Sequence, residues 1–175
     1  MPVDTERTRR LEPSHRGFIG PVRLSRYNEE RDVLALTDEL AHLEAQGRGA
    51  TDPELSWLRP ALARPEFDLV TAGVDGRLAG FVAGNLGADL TLARLVVASA
   101  ALDAHPEIPA LLLETILAHE DRPWADIVVA RGFAGLTVLV EQGWEVVPTR
   151  DGDACAGTSS IGTVRLSAAH LDHDA

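Results

Sequence analysis

The residues that could do chemistry are few and widely spaced along this 175-residue chain. The best titratable candidate is His105, in Asp103-Ala104-His105-Pro106-Glu107, one imidazole between two carboxylates just ahead of an apolar helical stretch. A histidine there could donate to a phosphate or act as a base, since imidazole changes charge near neutrality; a His beside Pro in a turn also reads as solvated surface. Cys155, the single cysteine, sits in a Gly/Ser loop with no nucleophile signature around it. His170 and His173 have metal-compatible spacing but no further ligands nearby, and no second histidine follows His119-Glu120 at the zincin interval, so no metal is expected. Gly84 to Gly87 and Gly132 to Gly135 are not phosphate loops, because neither precedes a Lys-Ser/Thr pair nor fits a dinucleotide fingerprint.

Composition narrows the partners. The net charge is −11, all 16 Lys+Arg residues are arginine, and the only basic cluster is Arg7, Arg9 and Arg10. Binding to a nucleic-acid backbone rests on clustered positive charge, so no nucleic acid is expected, while the overall field favours a cationic or amine-bearing ligand. No apolar run approaches the ~20 residues of a membrane span, so no membrane is expected. The opening MPVDTERTRR lacks the apolar core of a secretory signal, and the lone cysteine suits a reducing compartment. The expected location is cytoplasmic.

The elements that must position any site follow from periodicity and punctuation. Residues 1–20 are polar and read as a flexible N-terminal tail, residues 21–169 as a single domain, and residues 170–175 as a C-terminal tail. Val22 and Leu24 mark a short strand. Asn28 can cap one helix carrying Val33, Leu36, Leu40 and Leu43 on a stripe and ending near Gly47. Asp52-Pro53-Glu54 starts a second helix with Leu55, Leu58 and Leu62 inward, stopped by Pro65. Phe67 to Val74 and Arg77 to Leu86 are strands joined by Asp75-Gly76, the pair a two-residue hairpin prefers. Asp89 to Ser99 is apolar on both faces and belongs in the sheet centre. A helix over Ile108 to Glu120, a strand over Ala125 to Ala130, and a helix over Phe133 to Gln142 with Phe133, Leu136 and Val140 inward come next. Gly143 caps that helix, and Trp144 to Val147 and Thr163 to Ser167 are the last strands.

This order of strand, two helices, three strands, helix, strand, helix and two strands resembles the Gcn5-related N-acetyltransferase (GNAT) fold. The text agrees locally: Glu141-Gln142-Gly143-Trp144 is similar to the end of the family's L-Y-E-K-x-G-F segment. The resemblance implies an α/β (α+β) architecture, a mixed, mostly antiparallel sheet of about seven strands flanked by about four helices. It also implies that the strands at Asp89–Ser99 and Ala125–Ala130 splay apart to admit acetyl-CoA or another acyl-CoA. The pantetheine would then pair with the backbone of Leu95, Val96 and Val97. The pyrophosphate would rest near His105, Glu107, Ile108, Pro109 and Ala110, at the next helix's N-terminus.

The chain departs from the family there. The consensus glycines of that loop are absent, Pro106 and Pro109 remove amide donors, and Asp103 and Glu107 add negative charge. The tyrosine that serves many members as general acid aligns with Leu139, and the fourth strand offers no glutamate base. His105 and Asp126 remain as catalytic candidates. Tyr27, Trp57 and Arg131 could line the acceptor side, although Trp57 also reads as packing and Asp126 and Arg131 as edge charges in water. The resemblance implies acyl transfer to the amine of a small molecule, by proximity more than by acid–base groups, and a homodimer. The alternatives are a GNAT-fold protein that has lost acetyl transfer and binds a small molecule or protein or runs another reaction, and a purely structural partner.

Overall fold

A computed structural model describes residues 17–46, 54–86, 91–118, 124–130, 135–148 and 161–167. Its elements are β1 (Arg23–Tyr27), α1 (Glu30–Ala35), α2 (Thr37–Gln46), α3 (Leu58–Leu62), β2 (Phe67–Val74), β3 (Arg77–Asn85) and β4 (Thr91–Val97). They continue with α4 (Ser99–Ala104), α5 (Ile108–Leu117), β5 (Trp124–Ala130), α6 (Gly135–Glu141), β6 (Glu145–Pro148) and β7 (Ile161–Ser167). The strands form one sheet in the order β1-β2-β3-β4-β5-β7-β6, antiparallel except for the β4–β5 pair. The doubly apolar β4 takes the central place, as its composition demands. Among the described residues no helix is long and apolar enough to cross a membrane.

The hairpin between β2 and β3 follows its sequence signal. Asp75 (φ 53) and Gly76 (φ 72) both take the left-handed conformation that a two-residue turn on right-twisted strands requires. Asp75 has a second task, its Oδ2 accepting the amides of Ile19 and Gly20 at 3.2 and 3.0 Å, while Arg77 lies 4.5 Å over the ring of buried Phe18. Residues 18–20, read from sequence as part of a tail, therefore dock on the hairpin.

Four element boundaries differ from the sequence reading. The first helix is two, because Leu36 (ψ 2) leaves the helical path and Thr37 Oγ1 donates to Leu34 O at 2.6 Å; its N-cap is Glu29, not Asn28. The next helix begins only at Leu58, since Leu55 adopts φ 51; Asp52 and Pro53 lie outside the described residues. The short α4 occupies what read as the end of a strand and a loop, with Ala101 and Leu102 buried. In α6 Leu139 is fully buried and Leu136 packs half-buried against the core, whereas Val140 is 54% exposed; Phe133 lies outside the described residues. Gly143 (φ 92) supplies the left-handed cap, and Trp144 N closes it onto Leu139 O at 2.9 Å.

The helices sandwich the sheet. On one face Ile108, Leu112, Leu113 and Ile116 of α5 are fully buried. At Gly80 the approach is closest: a Cβ there would lie 2.9 Å from Val96 O, 3.1 Å from Val97 Cγ2 and 3.4 Å from Ile108 Cγ2. The far end of α5 is held by Arg26, whose Nη2 donates to Thr115 O (2.9 Å) and Ile116 O (3.2 Å) while Nε pairs with Asp68 Oδ2 at 2.8 Å.

Two outcomes follow. Gly80→Ala should lower stability by about 1–3 kcal/mol in denaturant titration, the usual penalty for overpacking a core, because the nearest obstacle is backbone. Burial holds the Asp68 carboxyl above its ordinary value, outweighing the opposing charge of Arg26. The native state thus binds this proton more tightly than the unfolded chain does, a contribution to stability that is lost as pH rises through the raised value. Asp68→Asn keeps an acceptor for Arg26 without the titration, so its stability relative to the parent chain should grow from about pH 4 upward and then level off; a constant difference would contradict the assignment.

Candidate functional site

Where β4 meets β5 the ladder is two residues long. Thr91 pairs with Asp126 and Leu92 with Ile127, after which the strands part. Each keeps its outer partner: β4 stays on β3 as far as Val97↔Gly80, and β5 stays on β7 from Trp124↔Ser167 to Ala130↔Ile161. The result is a V opening toward the C-terminal ends of β4 and β5. Strand alternation shows what lines it. Ala98 N bonds Ala79 O at 2.9 Å, so the peptide groups of Ala98 and Val96 turn to β3 and those of Leu95 and Val97 turn to the open side. An extended ligand with amide groups could bond there as an added strand does. Of the three β4 residues singled out from sequence, Leu95 and Val97 offer backbone to the opening and Val96 does not.

At the mouth of the V, α4 leads through His105–Glu107 into α5. Few amides remain at that helix start. Ile108 N bonds His105 O at 3.2 Å, Leu111 N bonds Glu107 O at 3.0 Å, and Pro109 has no N–H. This leaves the amide of Ala110 as the one without a partner among the first four. The Ile108 side chain is packed on β3 and β4 rather than facing a ligand. His105 Nδ1 lies 3.0 Å from Glu107 Oε1, and since a carboxylate only accepts, Nδ1 carries the proton. Its Nε2 is buried without a hydrogen-bond partner among the described residues. A phosphate at this mouth would meet one amide and, when the ring is protonated, one imidazole N–H, beside the carboxylate of Glu107.

The remaining candidates are spread out. Asp126 sits at the closed end of the V, opposite Thr91. With β4 rising about 3.3 Å per residue, it and His105 are about 20 Å apart along the strand and do not form one acid–base pair. Tyr27 lies on β1, three strands from β4. Arg131 lies outside the described residues, as do Cys155, His119, His170 and His173. Leu139 is fully buried, so the position matched to a general acid points into the core. Among the described residues no group of three His, Cys, Asp or Glu side chains could hold a metal ion.

Trp57 takes part in a buried polar network on the α2 face of β4 that sequence reasoning missed. Its ring stacks on Phe81 (centroids 5.9 Å apart, 17° between planes), and its Nε1 donates to Glu44 Oε1 at 3.0 Å. The same oxygen receives Arg94 Nε at 3.0 Å, with Glu44 and Arg94 only 1% and 6% exposed. Beside them Asn85 Nδ2 caps the end of α3, donating to Ala61 O (3.0 Å) and Pro65 O (3.1 Å). A signal was present in the sequence: Glu44 follows Leu40 and Leu43 on the apolar stripe of its helix, and Arg94 stands alone in an apolar central strand.

No family model matches the sequence, and neither does any curated protein. The structure is similar to solved acetyltransferases. One is an acetyltransferase of the GNAT family from Staphylococcus aureus Mu50, with TM-score 0.58 at 11% identity, covering 84% of this chain and 98% of that one. Another is the diaminobutyrate acetyltransferase EctA from Paenibacillus lautus, in complex with L-2,4-diaminobutyric acid and coenzyme A, with TM-score 0.56 at 12% identity over 83% and 94%. A third is the PaiA N-acetyltransferase from Thermoplasma acidophilum in complex with coenzyme A, with TM-score 0.53 at 16% identity over 83% and 98%. The chain has the GNAT fold.

The network makes a stability forecast. Arg94→Met leaves the Glu44 carboxylate without its guanidinium in the interior and should cost about 3–5 kcal/mol in chemical denaturation, whereas the double variant Glu44→Gln/Arg94→Met should recover much of that loss.

Proposed function

We propose that this protein transfers an acetyl or other short acyl group from acyl-CoA to the amine of a small molecule. One observation carries the reading: β4 and β5 part after two pairs, leaving the peptide groups of Leu95 and Val97 turned into an opening. Two structures of the same fold are complexes with coenzyme A, and one of them also holds an amine, which supports an acyl-CoA in the V and an amine acceptor meeting it there. The pantetheine lies along β4, its amides bonding Leu95 and Val97. The diphosphate lies at the mouth, against Ala110 N–H and His105 Nε2. The acceptor amine attacks the thioester carbonyl carbon, the C–S bond breaks to release the coenzyme A thiolate, and the proton lost by the amine passes to water. No general acid or base is needed if the amine arrives deprotonated, and positioning supplies the rate. Asp126, and Arg131 beyond the end of β5, orient the acceptor, with Trp57 as part of its wall.

A second reading has its own support. A single open amide at the start of α5, flanked by Asp103 and Glu107, is a poor diphosphate cradle, which favours a GNAT-fold protein that no longer uses the coenzyme and binds or converts something else in the same V.

Calorimetric titration with acetyl-CoA, coenzyme A and pantetheine separates the two. Transfer chemistry predicts micromolar acetyl-CoA binding and, at a hundredfold excess over Kd, a rise in melting temperature of about 5–10 °C. Because the diphosphate contact is thin, pantetheine should bind within about tenfold of coenzyme A, and His105→Ala should weaken coenzyme A about tenfold while leaving pantetheine unchanged. No heat and no shift at millimolar acetyl-CoA would reject the acyltransferase.

A further inference from the structure

A second cavity lies away from the V. It holds about 470 Å³ between α2 and the outer strands, with Arg23, Ser25 and Tyr27 of β1 and Thr71 and Gly73 of β2 as its floor. That floor is three strand spacings from β4, about 14 Å at the usual separation, so a ligand in it would not touch the β4–β5 opening. The volume is within the ordinary range of small-molecule sites.

The floor is polar where a helix packed on a sheet normally demands apolar filling. Ser25 stands directly across from Thr71 and Arg23 across from Gly73, and alternation along β1 turns Arg23, Ser25 and Tyr27 to the same face. Thr71 is 5% exposed, yet its hydroxyl has no hydrogen-bond partner among the described residues, and neither Ser25 nor Tyr27 has one for its side chain. Three hydroxyls on one cavity floor offer a ligand both donors and acceptors. Gly73 adds room: a Cβ there would meet only Arg77 O at 3.6 Å and Arg23 O at 3.9 Å, ordinary contacts, so the space is not forced by crowding.

The charges around the cavity balance. Arg23, Arg77, Glu39 and Asp75 all line it. Asp75 is occupied by the Ile19 and Gly20 amides, and Arg77 lies over Phe18. Among the described residues, Arg23 on the floor and Glu39 on the roof have no ion-pair partner, each other included. A purely anionic or purely cationic ligand would satisfy one wall and oppose the other. We propose that this cavity binds a small zwitterion, its carboxylate at Arg23, its ammonium group at Glu39, and its polar atoms on the Ser25, Thr71 and Tyr27 hydroxyls.

The test uses the full chain and a series of ω-amino acids with growing charge separation: glycine, β-alanine, 4-aminobutyrate and 6-aminohexanoate. At least one member should bind by calorimetry and, at a hundredfold excess over Kd, raise the melting temperature by about 5–10 °C, while butyrate and butylamine alone do neither. Thr71→Val, which is isosteric, and Gly73→Val, which fills the cavity, should each weaken that Kd at least tenfold; Arg23→Gln should do the same without touching the core. A series that gives no heat at millimolar concentration overturns the site. So does a response that butyrate or butylamine matches, or one that all three variants leave unchanged.

Discussion

A strand inside a sheet has peptide groups on both edges, and burial requires both sets to find partners. In β4 one set is met by β3 along the described strand, and the other is met by β5 for two residues only. Much of the architecture is arranged around that imbalance. The right-hand part of the sheet, β5-β7-β6, is held by its own antiparallel ladders, so it can diverge without losing its pairing. The left-hand part is fastened to β4 by β3, and α5 lies across β2, β3 and β4, seated at Gly80, where a Cβ would crowd the backbone of β4. An opening with unsatisfied backbone persists because each of its walls is stabilised from behind.

Opposite α5, the Glu44–Arg94–Trp57 network ties α2, the segment leading into α3, and β4 at one carboxylate oxygen. Two charges taken out of water are not a source of much net stability. Their value is geometric: an apolar α2 could slide on β3 and β4, whereas a shared oxygen with two directional donors admits one placement. Asn85 does similar work nearby by ending α3 against the last residue of β3.

The sequence was legible where local chemistry decides structure. Asp75-Gly76 demanded a tight hairpin, the doubly apolar run at β4 demanded the sheet centre, and Gly143 demanded a helix end. It was misleading where tertiary contacts overrode local preference. Leu36 and Leu55 look like ordinary stripe residues, yet one breaks a helix and the other takes a left-handed conformation to bury its side chain. Ser99–Ala104 continues an apolar run, so nothing local separates strand from helix. Phase was the hardest to read: Leu139 and Val140 are both apolar, and only packing against α5 and the sheet selects Leu139. The candidate site was half legible. The loss of amides at the start of α5 could be counted from Pro106 and Pro109, but that Ile108 N is spent on His105 O could not. That Tyr27 lies three strands from β4 could not be read either, because a strand's position in the sheet order is not written in its own residues.

Asp75 answers to two demands at once, the left-handed turn and the grip on the Ile19 and Gly20 amides. Glycine would serve the turn alone, and asparagine would serve it with a weaker, uncharged grip. The pairing phase of the hairpin is thereby made visible elsewhere. Slippage by one residue would turn the carboxylate to the other face of the sheet, and the segment at 18–20 would have nothing to close on. The docked arm is in effect a register contact: it can close only on a hairpin paired in this phase, so the Ile19 and Gly20 hydrogen bonds report that pairing.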